Sequence, residues 1–263
     1  MKLKGKVVWI TGASSGIGEA LLHECILQGA TVIASSNQVE ELRRVISSCD
    51  GADRIIETPF DLSDTSGIED IVSGVMLKAG VVDYLINLGG VSQRAYITET
   101  PLWLDRKIME INYFGTIALS KAVLPYMLKQ GHGHILVTSS ISGRFGFPLR
   151  SAYSASKQAL HGFIETLHLE NNKYNVRGSA IIPGRVRTNI SVNALNRDGL
   201  SHGKMDDGQA GGLSPEAAAR KILRGIRRNQ REILVGKSEL IMLYIRRLFP
   251  WLFFRIAGKI KST

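Results

Sequence analysis

The chain has 263 residues, 44% apolar and 21% charged, which excludes a disordered polymer and leaves ample mass for the core of one α/β domain. Its two cysteines, Cys25 and Cys49, lack metal-ligand or redox spacing, so a disulfide scaffold is excluded and both read as free thiols of a reducing compartment. The net charge of +10 is one-sided: residues 1–219 carry 21 basic and 21 acidic side chains, while residues 220–263 carry 12 and 2.

The opening residues show no apolar signal region, which predicts a cytoplasmic location. Residues 6–11 form a short apolar run of the kind a buried parallel strand needs. The turn Gly12-Ala13-Ser14-Ser15-Gly16-Ile17-Gly18 leads from it into a helical pattern over 19–28. Glycines between strand and helix permit a tight turn and close backbone approach, and the helix N-terminus then offers amides to a pyrophosphate. Residues 31–35 read as a second strand ending in Ser36-Asn37. A carboxylate at that end would bind ribose hydroxyls and repel a 2′-phosphate; its absence favours NADP(H) over NAD(H). No arginine stands at the strand end to secure the phosphate, since Arg43 and Arg44 lie on the next predicted helix.

A third strand over 55–60 leads into Asp61-Leu62. Asp61 could accept from an adenine amino group or cap the next helix, and Asp64 suits the cap better. A fourth strand over 82–86 ends in Asn87-Leu88-Gly89-Gly90, small residues that let a cofactor lie across the strand tips. Asn112 is an amide in a mostly apolar helical pattern; on its own it reads as a satisfied core group. A fifth strand over 133–140 brings Ser140 to the ligand side of the sheet, and a sixth over 176–182 breaks at Pro183-Gly184 before Val186 and Thr188. Residues 189–213 show little periodicity and predict a substrate lid. Ser214-Pro215-Glu216 opens another helix, and residues 231–235 give a last strand.

Between the fifth and sixth strands lies Ser151-Ala152-Tyr153-Ser154-Ala155-Ser156-Lys157, a helical segment with a phenol and an ammonium four residues apart on one face. A tyrosine ionises near pH ~10. An ammonium at ~4 Å and an effective dielectric of ~20 favours the phenolate by ~4 kcal/mol before desolvation subtracts, which would tune Tyr153 as a general acid/base.

Together these residues resemble the short-chain dehydrogenase/reductase family, whose pattern is TGxxxGxG, Asp-Leu, NxxG, a helix Asn, a strand Ser, YxxxK and Pro-Gly-xxx-Thr. Here it runs through Thr11–Gly18, Asp61-Leu62, Asn87–Gly90, Asn112, Ser140, Tyr153/Lys157 and Pro183–Thr188, covering about the first 190 residues. Residues 188–194 and the Leu-Phe-Pro-Trp-Leu-Phe-Phe segment resemble the member 7B branch and its bacterial relatives. The resemblance implies a Rossmann-type doubly wound sheet of seven parallel strands, ordered 3-2-1-4-5-6-7, and a homo-oligomer. It also implies that Tyr153 passes a proton to the substrate oxygen as hydride moves to or from the nicotinamide. Lys157 would lower the tyrosine pKa and hold the nicotinamide ribose, Ser140 would polarise the carbonyl, and Asn112 would support a water-linked proton path. Val186 and Thr188 would hold the nicotinamide. Asn87-Leu88-Gly89-Gly90 departs from the usual NNAG and loses one polar contact near the cofactor.

Residues 1–236 thus read as one domain and 237–263 as an apolar, basic tail. Residues 240–255 are aromatic and interrupted by arginines and Pro250, too broken to span a bilayer. They fit either an interfacial segment on an anionic membrane, with a lipid- or steroid-like ketone or alcohol as substrate, or an element packed on the body. Two other readings are a nucleic-acid binder, for which the basic stretch 220–231 lacks a recognition motif, and a non-catalytic NADP(H) sensor or scaffold. The histidines have no ligand spacing, and no metal is expected.

Overall fold

The computed structural model describes residues 3–257; Met1, Lys2 and residues 258–263 of the predicted tail lie outside that range. Each apolar run becomes a strand: β1 (Val7–Thr11), β2 (Thr31–Ser35), β3 (Ile55–Glu57), β4 (Tyr84–Asn87), β5 (Gly133–Thr138), β6 (Val176–Pro183) and β7 (Glu232–Val235). They form one parallel sheet in the order β3-β2-β1-β4-β5-β6-β7, as expected. Both faces of such a sheet must be covered, which is why its strands are apolar throughout rather than alternating. The helices are α1 (Gly16–Leu27), α2 (Val39–Ser47), α3 (Ile68–Ala79), α4 (Leu102–Met109), α5 (Gly115–Gln130), α6 (Ser151–Asn171), α7 (Asp207–Ala210), α8 (Pro215–Arg227), α9 (Ile241–Leu248) and α10 (Pro250–Ala257).

One face packs α1, α2 and α8 on Val8, Ile10, Val32 and Ile233. The other packs α3, α5 and α6 on Trp9, Ile33, Leu85 and Val137. In register, Thr11 lies opposite both Ser35 and Asn87, so the tips of β2, β1 and β4 end at one level and leave a common edge for a ligand.

Two local details depart from the sequence reading. Asp64 does not cap α3, whose N-cap is Gly67; its carboxylate instead accepts from the backbone N–H and hydroxyl of Ser66. A short acidic side chain can close its own turn two residues on, and here that wins over the helix end. Between α4 and α5 the helix widens into a π turn over Glu110–Phe114, with Asn112 inside it.

The tail is two short helices. Pro250 opens α10, where its missing N–H costs nothing. Phe253 is 2% exposed and its ring centroid lies 4.8 Å from that of Phe145, in a cluster with Ala257, Ile141 and Phe147. This part of the tail therefore packs on the body. Tyr244, Leu248, Phe249, Trp251 and Phe254 remain exposed on its outer side. Among the described residues no helix is long and apolar enough to cross a membrane.

Candidate active site

A cleft of about 770 Å³ runs along the C-terminal ends of the strands. Gly12, Ser14, Ser15, Gly16, Ile17, Gly18, Ser36, Asn37, Asp61, Leu62, Gly89, Ser140, Tyr153, Lys157, Pro183, Gly184, Val186 and Thr188 all line it. Of the predicted site residues, only Asn87 and Asn112 do not. Asn87 is buried at the end of β4 with its amide donating to Ser120 and to the carbonyl of Leu136. Asn112 accepts from the backbone N–H of Val91 at 2.8 Å and donates to the Val91 carbonyl at 2.9 Å and to Ser156 at 3.0 Å. Both therefore shape the cleft wall from behind, the satisfied-amide reading of Asn112 included.

The nucleotide half is set by backbone closeness. Gly12 has φ +67°, and a Cβ there would stand 2.9 Å from Gly89; a Cβ on Gly18 would stand 2.0 Å from the Gly12 carbonyl oxygen. The turn can close this tightly only with glycine. Ser15 caps α1 without a side-chain hydrogen bond to its free amides, so the first turn presents N–H groups to the cleft. That edge fits the pyrophosphate of a dinucleotide. Next to it, Ser14 and Ser36 share a 2.8 Å hydrogen bond, and the Asn37 amide donates to Asp61 at 3.1 Å. Burial works against ionisation of Asp61, but hydrogen bonds from Ser63 and Asn37 and the charge of Lys107 outweigh it and hold the carboxyl below its usual range. Arg43 and Arg44 face elsewhere, paired with Glu57 and Glu40 and with Glu41 and Glu19.

The chemical half is set by α6 and the turn after β5. Ser140 accepts from the Ser142 N–H at 3.1 Å and is hydrogen-bonded to the Tyr153 phenol. Gly143 lets this turn pack against α6, because a Cβ there would lie 2.2 Å from Ser139 Oγ and 2.8 Å from the Lys157 carbonyl oxygen. Lys157 Nζ donates to the Thr138 carbonyl at 2.8 Å and sits 6.0 Å from the Tyr153 ring centroid. Burial depresses Lys157 to about 8 and raises Tyr153; the influences that pull Tyr153 back down are the Ser140 hydrogen bond and the charges of Arg150 and Arg94. The same-face spacing alone thus overstates the effect of Lys157. Its ammonium is turned to the strand carbonyl, and two arginines act on the phenol instead.

Those arginines had no signal in the sequence. Arg94 follows β4 and Arg150 precedes α6, each a single charge in a loop. In the fold both meet Asp206 from the segment over 189–213: Arg94 Nη2 at 2.5 Å and Arg150 Nη2 at 2.8 Å. That segment is tied to the rim by bridges between Gln93 and Leu195 and between Val186 and Leu213. The histidines go to protein partners, His134 to Ser179 and His161 to Ser139, both at 2.8 Å. His161, Glu165 and Glu232 do gather within 4.8 Å, but the Arg144 guanidinium pairs with Glu232 there.

Comparison with known proteins agrees with this geometry. The family profile described as short chain dehydrogenase matches residues 6–198. A dehydrogenase/reductase SDR family protein 7-like of Drosophila melanogaster is 42% identical, covering 98% of this chain and 81% of its own. The dehydrogenase/reductase SDR family member 7B of Mus musculus is 39% identical, covering 97% of this chain and 80% of its own. In fold, a short-chain dehydrogenase/reductase of Burkholderia phymatum in complex with NAD matches all of both chains with a TM-score of 0.85 at 22% identity. A short-chain dehydrogenase of Burkholderia cenocepacia in complex with NADP matches 97% of this chain and 98% of its own with a TM-score of 0.80 at 24% identity. With glycine turn, Tyr153 and Lys157 on one cleft and this likeness along nearly its whole length, the chain belongs to the short-chain dehydrogenase/reductase family of oxidoreductases.

Proposed function

We propose that the protein is an NADP(H)-dependent oxidoreductase interconverting a hydrophobic ketone and its secondary alcohol. The observation that carries this reading is the convergence of Ser140, Tyr153 and Lys157 on one cleft with the α1 N-terminus. The nicotinamide cofactor would supply or accept the hydride. Tyr153, held neutral by burial, donates its phenolic proton to the oxygen of the ketone during reduction. Ser140 orients that oxygen through its hydroxyl, and Lys157 stands beside the tyrosine to bind the ribose. Asn112 fixes the loop at Val91 and so the wall behind both. Ser36 and Asn37, without a carboxylate of their own, and Lys107 on the same cleft support NADP(H).

Ile111, Ile141, Ile190 and Leu195 give the substrate end an apolar lining, and residues 189–213 act as its lid. The outer side of α9 and α10, with Trp251 and Phe254 exposed beside Arg246, Arg247 and Arg255, suits an anionic membrane surface that would deliver such a substrate. Flotation with anionic vesicles tests that placement: binding should fall in a Trp251→Glu, Phe254→Glu double variant, and no binding of the parent protein defeats it.

A panel of ketones and alcohols followed by NADPH and NADH absorbance tests the activity. Tyr153→Phe is expected to lower turnover by roughly 10²–10⁴-fold while cofactor binding stays. Cofactor binding with no turnover of any carbonyl would instead favour a sensor or scaffold.

A further inference from the structure

The substrate end of the cleft carries more positive charge than its apolar lining calls for. Arg94, Arg150 and Asp206 all line the same cavity as Tyr153, and all three are mostly buried, with side-chain exposures of 3%, 12% and 13%. Four of the five Arg94 donors are taken by protein: Nη1 donates to Ser92 and to the Gln93 carbonyl, while Nε and Nη2 grip both oxygens of Asp206. Most of those of Arg150 are not. Among the described residues its one hydrogen-bond acceptor is Asp206, reached through Nη2, and its guanidinium otherwise lies over the Phe147 ring at 5.1 Å.

A guanidinium has five donors in a planar fork and is costly to bury without acceptors. Here two buried cations share one carboxylate, so the group is left with an uncompensated charge facing the cavity. Arg150 stands directly before α6, one turn ahead of Tyr153, and Gln93, next to Arg94, accepts from the backbone N–H groups of Ala152 and Tyr153, so both arginines lie at the Tyr153 end of the cleft and not in the nucleotide half. An apolar ketone alone would leave Arg150 with only the carboxylate that it shares with Arg94. A ligand that brings an anionic oxygen group would complete it, with the flat fork matched to a carboxylate or phosphate.

We propose that Arg150, backed by Arg94, receives an anionic oxygen group, carboxylate or phosphate, carried by the same ketone substrate, and that Asp206 competes for this place from the lid segment. The inference rests on the reductase reading and narrows it to an amphiphilic substrate: an apolar part along the isoleucines, a carbonyl at Tyr153 and an anion at Arg150.

The test uses the full chain saturated with NADP⁺, so that the pyrophosphate site is filled, and titrates it by calorimetry with inorganic phosphate and, separately, with acetate. At least one is expected to bind, at least tenfold more weakly in Arg150→Gln and severalfold more tightly in Asp206→Asn, with NADP⁺ affinity and Tm checked in each variant. Arg150→Lys should restore part of the binding. Phosphate alone binding assigns a phosphate monoester, and acetate binding as well assigns a carboxylate. Absence of binding by both, or binding unchanged in Arg150→Gln, overturns the proposal. Turnover of acetoacetate against its methyl ester separates the two readings: a lower KM for the acid, lost in Arg150→Gln, supports the anion site, whereas equal KM values count against it. Failure to turn over any member of the ketone and alcohol panel, with anion binding intact, defeats the reductase reading only.

Discussion

The two halves of the cleft are built by different physics. The nucleotide half is mainly steric: Gly12, Gly18 and Gly89 bring backbone against backbone beside the neutral Ser14, Ser36 and Asn37, and its charges, Asp61 and Lys107, are of opposite sign. The substrate half is electrostatic: Arg94, Arg150 and Asp206 come from three loops and meet in the cleft that Tyr153 also lines. A steric site is specified within one short stretch of chain and tolerates little substitution. An electrostatic one can be re-specified by changing one charge, which is how a common scaffold can serve different substrates.

Several substitutions would break or sharpen this contrast. Gly18→Ala has the largest expected effect. Its Cβ would meet the Gly12 carbonyl oxygen at 2.0 Å, backbone that cannot step aside, so stability should fall by about 3 kcal/mol, the upper end of ordinary overpacking. Cofactor affinity, measured by NADPH fluorescence, should drop at least tenfold; unchanged affinity would show the turn to be plastic. Phe253→Ala comes next. Emptying the cluster beneath Phe145 and Phe147 should cost roughly 2 kcal/mol and disturb the ketone KM more than NADPH affinity. Equal changes in both would mean that the halves are not separable.

Acid should act on the scaffold shared by both halves. Burial pushes His134 down to about 3 and His161 to about 4. The unfolded chain therefore binds protons below about pH 6.5 that the native protein refuses, so stability is expected to fall as pH drops from 6.5 towards 4. The loss is read as a falling Tm, and a flat Tm across that window would refute it. Ser214→Ala is the smallest effect and serves as a control: losing the cap on Ala217 should cost about 1 kcal/mol and leave both ligand affinities as they were.

Legibility in the sequence divides along the same line. The strands, the glycine turn and the Tyr153–Lys157 helix are legible because each rests on neighbours a few residues apart. The Arg94–Asp206 pair spans 112 residues, and nothing local distinguishes either member from a solvated charge. The docking of Phe253 on Phe145 is equally remote, and an aromatic, basic segment looks the same whether it packs on protein or lipid until its partner is seen. Asp64 misleads for the opposite reason, because two local hydrogen-bonding solutions compete and the turn prevails over the cap. The role of Lys157 falls between: its position is readable, but the Thr138 carbonyl that claims its ammonium is not.

The widened turn over Glu110–Phe114 has a consequence for how this part of the chain can change. Deleting one residue there would close the wide turn into regular α-helical winding, leaving α4 and α5 nearly in phase but shifting the residues inside the turn. The amide of Asn112 would swing off both backbone groups of Val91 and off Ser156, and the loop that it clamps would lose its anchor beside Gly90. A length change of a single codon at this bend is therefore expected to be far more damaging than most point replacements on its surface.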